Sequence, residues 1–273
     1  MTSVEELIKK DAKRQLLAGT VLSILAVLFL VELFWYRSVS IAFMGLYSFA
    51  FTLGGIGLLR TGFVDWKKAK KTDMHVKADE TSLTIERVLG RMYVGQKTLD
   101  SAHAVLVDMD GAVYAEAEER KLGKYPLWRK LSVLLSVSDI RSFECEVTDR
   151  EGNLLYTMEK KGGFAWRGYV QNHAGEYVAY TKETKDRESG KRTIVYVGTD
   201  NKRWTAEGDA FIGHFLVKDQ AGKEWAMIKR GAIPSEAADR FEKMPGCLIE
   251  WKERGKIPAS LIAFLFLMNT RER

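Results

Sequence analysis

The chain has 273 residues, is 46% apolar and 29% charged, and carries a formal net charge of +6. Ten basic residues against six acidic ones fall in residues 1–74, and 32 against 30 in the remainder, so most of the positive excess lies outside the larger part of the chain. That distribution speaks against a nucleic-acid partner, which needs the positive field on the folded domain. Two well-separated cysteines, Cys145 and Cys247, give neither a disulfide framework nor a zinc-ligand spacing.

From Leu16 to Tyr36 the chain reads LLAGTVLSILAVLFLVELFWY, with Glu32 its only ionisable group before the far end. After Arg37 and Ser38 it resumes as VSIAFMGLYSFAFTLGGIGLL, Val39 to Leu59, without a charge. About 20 apolar residues span a bilayer, so two transmembrane helices, residues 16–36 and 39–59, are expected around a tight turn. Phe34-Trp35-Tyr36-Arg37 offers no small-residue cleavage site, which favours an anchor over a cleaved signal peptide. Lys9, Lys10, Lys13 and Arg14 precede the first span, and Arg60, Lys67, Lys68, Lys70 and Lys71 follow the second. The positive-inside bias therefore places both ends in the cytoplasm, and a multi-pass protein of the cell (plasma) membrane is expected. These lysines either enforce topology or attract anionic lipid heads. Gly54, Gly55 and Gly57, with Gly19 and Ser23 opposite, are suited to close helix packing, and the same surface allows a homodimer. Glu32 lies one turn from Tyr36, near the interface, where it can reach water.

Residues 61–75 are polar and lysine-rich and are expected to form a basic linker, with a domain from 76 to 273. In that domain, short alternating runs rich in β-branched and aromatic residues recur: Leu83 to Ile85, Ala104 to Val107, Phe143 to Val147, Tyr177 to Tyr180, Thr193 to Val197 and Phe215 to Val217. They predict strands at the spacing of a barrel or sandwich. A repeat sharpens this. Val147, Asp149 and Gly152 share their spacing with Val170, Asn172 and Gly175, with Val217, Asp219 and Gly222, and with a weaker copy at Leu106, Asp108 and Gly111. An Asp or Asn that caps a turn through its side chain, followed by a Gly free to adopt positive φ, predicts a hairpin at each copy.

The segment 120–130 interleaves bases with Tyr125 and Trp128, a mixture that suits either a bilayer surface or a solvated loop. Lys67, Lys68, Lys70, Lys71, Lys124, Trp128, Arg129 and Lys130 are the candidate headgroup contacts. The last apolar run, Ile257 to Met268 (IPASLIAFLFLM), is too short for a comfortable span and has no polar face. Pro258 fits a first turn and Asn269 a stop, so a helix enclosed by a closed sheet is expected.

Repeated V-x-D-x-x-G hairpins followed by a wholly apolar terminal helix resemble the tubby C-terminal superfamily, in particular its LURP-one-related and scramblase-like branches. The resemblance covers residues 76–273. It implies a closed antiparallel barrel of about twelve strands around the terminal helix, and lipid recognition by the domain. The two-helix anchor is an addition to the family's domain, and the family's phosphoinositide-binding Lys and Arg positions find no match here.

The run Ala104 to Tyr114 also resembles the first motif of haloacid-dehalogenase phosphatases, with Asp108 as nucleophile and Asp110 as general acid. Ala112 stands where Thr or Val belongs, and no downstream acidic pair for magnesium follows. A fourth hairpin turn is the favoured reading of these residues. The chain is thus expected to be a membrane-anchored cytoplasmic binding or sensing module, mainly β, without catalytic activity, cofactor or metal. Its expected partners are anionic phospholipid or a membrane-associated protein; phosphatase and lipid-independent scaffold stand as alternatives.

Overall fold

The computed structural model describes residues 4–35, 41–69, 84–85, 90–97, 103–120, 143–161, 166–185, 192–199, 203–209, 213–233, 235–242, 244–253 and 255–270. The chain divides into two compact units, Met1–Met74 and His75–Arg273.

The first unit is a helical hairpin of α1 (Val4–Trp35) and α2 (Ile41–Ala69). Both helices extend past the expected spans. Thr61 to Ala69, expected as linker, continues α2, because nothing in TGFVDWKKA breaks a helix and its buried residues keep the seam going. The seam is a heptad series of small residues running antiparallel: Ala12 faces Gly62, Gly19 faces Gly55, and Ala26 faces Ser48. A Cβ on Gly62 would lie 3.1 Å from the Ala12 carbonyl oxygen, and one on Gly55 would lie 3.1 Å from that of Gly19. Ser48 Oγ donates to the Ala26 carbonyl at 3.1 Å. Glycine at these points lets the backbones touch, and dispersion between them holds the hairpin where hydrophobic burial is weak. At one end Gln15 Nε2 donates to Asp11 Oδ2 and Asp65 Oδ2, each at 3.2 Å, which gives two buried carboxylates a shared donor. The outward faces are apolar. Both helices are long and apolar enough to cross a membrane.

The second unit is a closed barrel of twelve antiparallel strands in which every sequential neighbour is also a spatial neighbour. They are β2 (Arg91–Gln96), β3 (Ala104–Asp108), β4 (Val113–Glu119), β5 (Phe143–Asp149), β6 (Leu154–Lys161) and β7 (Arg167–Gln171). The barrel continues with β8 (Tyr177–Lys185), β9 (Arg192–Gly198), β10 (Arg203–Asp209), β11 (His214–Lys218), β12 (Glu224–Arg230) and β13 (Gly246–Trp251), which closes on β2. Five of the six predicted runs lie on barrel strands; of the sixth, Thr84 and Ile85 form a short strand and Leu83 lies outside the described residues. A two-residue strand β1 (Thr84–Ile85) pairs with β14 (Ile257–Pro258) outside the barrel.

Down the axis runs α4 (Ala259–Asn269), with every residue from Ala259 to Met268 buried. Twelve strands about 4.8 Å apart and tilted by about 40° close on a radius of about 12 Å. That leaves room for one helix about 10 Å across with its side chains. Alternation along the strands feeds the space between: Phe143, Cys145 and Val147 point inward from β5, Trp204 and Ala206 from β10, Phe215 and Val217 from β11. Ser260, the polar side chain inside the helix, receives a hydrogen bond from Trp204 Nε1 at 3.3 Å. At Gly168 the helix comes so near β7 that an added Cβ would lie 2.8 Å from Leu267 Cδ2. A short helix α3 (Ala238–Phe241) covers the outer face of β2, β3 and β13, where Phe241 stacks on Tyr93 with centroids 4.6 Å apart.

The four repeats fold into one turn built four times. Asp108, Asp149, Asn172 and Asp219 each accept, on Oδ1, the backbone N–H groups two and four residues on, at 2.8 to 3.0 Å. Gly111, Gly152, Gly175 and Gly222 follow at φ 76° to 90°. A β-bulge precedes every one of them. Asparagine serves at 172 because the turn uses an acceptor and does not require a charge.

Candidate functional site

Because the strands alternate in direction, all four of these turns fall at one end of the barrel, the end where α4 begins. The opposite rim carries longer connections, including those from β4 to β5 and from β12 to β13, and α4 ends there. Thr270 closes the helix: its N–H donates to the carbonyls of Phe266 and Leu267, and its Oγ1 to Leu267 at 2.6 Å.

A pocket of about 470 Å³ opens at this second rim, between the last turn of α4 and the arc of wall from β9 through β2. Its volume lies within the usual range for small-molecule sites. Gly213, Gly231 and Gly246 line it. Two of them are conformationally required: Gly213 sits at φ 71° and Gly231 at φ 61°. The rim is tied across by Arg230 N–H to the Gly213 carbonyl at 3.2 Å and by Gly231 N–H to that of Gly246 at 3.0 Å.

Burial separates the lining into two groups. The buried group is apolar: Ile194, Phe215, Ile228 and Ile249 with Leu265 and Met268. The more exposed group includes Gln96, Arg230, Glu242 and Asn269, and Ile233. Asn269 Nδ2 is sequestered and meets no acceptor among the described residues. Two ionisable groups in the wall are perturbed. Burial pushes the Cys247 thiol up to about 11, against a smaller opposing pull from Arg230, so it stays protonated at neutral pH and is a poor nucleophile. Burial, with a smaller contribution from Cys247, pushes the Tyr93 phenol up to about 12; its hydroxyl donates to the Met244 carbonyl at 2.7 Å. Buried apolar side chains thus adjoin exposed polar ones in a single pocket.

The pocket begins at a rim but descends past it, so inner-wall side chains also become part of a site. Of the candidate headgroup contacts, Lys67 and Lys68 are exposed in the last turn of α2. Lys70, Lys71, Lys124, Trp128, Arg129 and Lys130 lie outside the described residues. The stretch that holds the last four joins β4 to β5, and its flanks, Arg120 and Phe143, lie at the same end of the barrel as the pocket. Asp108 is the turn residue of the hairpin between β3 and β4, an antiparallel pair, and its Oδ1 already accepts the N–H groups of Asp110 and Ala112. Among the described residues no group of three or more His, Cys, Asp or Glu could hold a metal ion.

Sequence reasoning missed the pocket. Asn269 reads as a helix stop and Cys247 as a thiol of no motif, and nothing in the sequence singles out Arg230. Two strands, β12 and β13, and α4 bring them together, so no local motif marks them. Comparison with protein-family profiles, with curated proteins and with solved structures finds no match to this chain.

Proposed function

We propose that the chain is a membrane-anchored lipid-binding module of the tubby/LURP-one type, with α1 and α2 as the anchor and the pocketed rim of the barrel as the binding end. The observation that carries this reading is the segregation of apolar surface. Among the described residues, every exposed large apolar side chain except Leu154 and Ile233 lies on α1 or α2. A soluble hairpin would hide such a face, whereas acyl chains accept it. The anchor raises the local concentration of the barrel at the membrane, so weak contacts there become occupied. Both ends of the chain face the cytoplasm in this reading, and the bases beside α2 and between β4 and β5 meet anionic headgroups. A barrel around an apolar helix is also the architecture that the family resemblance led us to expect, which supports the assignment.

The test uses the full chain in nanodiscs of phosphatidylcholine, with and without phosphatidylserine. Hydrogen exchange in the β4–β5 connection and the end of α2 is expected to slow in the anionic discs and to recover at about 0.5 M salt, where surface charges are screened. Identical exchange in both discs would transfer the binding role to a protein partner. Extraction of the chain from membranes by alkaline carbonate would remove the anchor.

A further inference from the structure

We infer that β1 is a detachable latch at the entrance of the core helix, which takes up a pull from the anchor and lets go before any barrel strand parts. The inference needs only the covalent order of anchor, latch and barrel, and it stands whether or not the rim binds lipid.

The pairing fixes where the latch acts. Thr84 and Ile85 lie opposite Pro258 and Ile257, and those two residues lead directly into α4 at Ala259. The connection that feeds the core helix into the barrel therefore leaves β13 at one end and is paired to β1 at the other. Along the described chain β1 is also the first element after α2. A pull from the hairpin reaches it before it reaches β2.

Its size makes it the weakest part of the sheet structure. β1 has one neighbour and two residue pairs, and one of those pairs contains Pro258, which has no N–H to give. Neighbouring barrel strands share four to seven pairs, and closure gives each strand a neighbour on both sides. Segments with few contacts open locally at a small fraction of the global unfolding free energy. β1 can thus part while the barrel stays closed.

Release has a defined target. Ile257 is 1% exposed and belongs to the barrel core, and Pro258, the N-cap of α4, offers no side-chain cap. Without β1, neither strand pairing nor a cap holds the lead-in, and Ile257 meets water. The helix beyond it stays in place, since every residue from Ala259 to Met268 is buried. A load on the anchor is in this way converted into exposure of an apolar side chain at the tight-turn end of the barrel.

The test uses the full chain in phosphatidylcholine nanodiscs with Cys247→Ser and Ile257→Cys, so that the introduced thiol reports the latch and Cys145, buried in β5, reports the barrel. Labelling by a small neutral thiosulfonate is followed by peptide mass spectrometry, and each rate is divided by that of the same thiol in the unfolded chain. The introduced thiol is expected to react at least tenfold faster than Cys145. Thr84→Pro with Ile85→Pro removes both backbone donors of β1 and should speed the introduced thiol at least tenfold further, with Cys145 unchanged. For the load path, handles are attached at Met74→Cys and Glu151→Cys with both native cysteines replaced by alanine, and the chain is pulled in optical tweezers. An early rupture is expected ahead of barrel unfolding, lengthening the tether by about 2 nm as the few residues between β1 and β2 extend at about 3.5 Å each. The double-proline chain should lack it. Equal normalised rates at the two thiols, or a rise at Cys145 in step with the introduced thiol, overturns the latch, because β1 and the barrel then open as one. An introduced thiol indifferent to the two prolines overturns it as well, since the barrel wall then covers position 257. A single rupture overturns the load path. Failure of the chain to enter nanodiscs refutes the anchor instead and is seen before any labelling.

Discussion

Phe264→Ala measures what α4 contributes from inside the barrel. Phe264 is fully buried, and its ring packs against Tyr196 with centroids 5.7 Å apart. Burial of the phenyl group is worth about 1.5–3 kcal/mol. The surrounding wall is a closed ring of hydrogen-bonded strands that cannot move in to fill the gap, so a cavity term adds to this and the total comes to about 4 kcal/mol. With a urea dependence of about 2 kcal/mol per molar, the unfolding midpoint should fall by about 2 M. The assay follows tryptophan fluorescence of the full chain in nanodiscs, where Trp204 reports directly because it bonds to Ser260 on the same helix. Phe63→Ala, on the exposed face of α2, serves as the control and should leave the midpoint in place. A shift below about 0.5 M for Phe264→Ala refutes the enclosure of α4, since a helix lying in acyl tails or solvent loses almost nothing of the barrel's stability when this ring is removed.

Two further outcomes follow from the geometry. Cysteines placed at Ala26 and Ser48 should cross-link readily, and Gly55→Ala should reduce that several-fold because its Cβ would sit 2.6 Å from Ser23 Oγ; Gly57→Ala, which meets nothing within 4 Å, should leave it unchanged. At Asp219, burial alone raises the carboxyl pKa, but donation from Trp225 Nε1 and the N–H groups of Lys223 and Ala221 holds it below its ordinary 3.8, and Asp149 is held down likewise by Asn153 and its turn. Groups whose folded pKa is depressed add stability that is present above their unfolded pKa and lost as pH falls through the folded one. The double variant Asp149→Asn, Asp219→Asn should therefore lose less stability than the unaltered chain between about pH 5 and pH 3, measured by thermal melts; an unchanged slope refutes the assignment.

Much of the fold was legible because it rests on short-range physics. The Asp/Asn-to-Gly spacing specifies its turn within five residues, so all four hairpins could be read without knowing what they join. The weakest copy, at Asp108, has the same bonds as the others. The terminal helix was legible for a different reason: a run with no polar face is compatible with very few surroundings, and its twelve residues were too few for a membrane. The end of α2 was misjudged because a lysine-rich stretch looks like a linker when the opposite face, Gly62, Asp65 and Ala69, is not seen packing on α1.

The sequence by itself determined the helical hairpin's apolar character, the repeated turn and the buried nature of the last segment, since each depends on residues close along the chain. Only the tertiary structure decided that the strands close at twelve, that small residues meet seven apart along the seam of α1 and α2, and that Arg230, Cys247 and Asn269 share a pocket. Closure and pocket depend on contacts between residues far apart in sequence. Which side chains meet at a barrel rim is set by strand direction, register and shear acting together, and no local pattern encodes them.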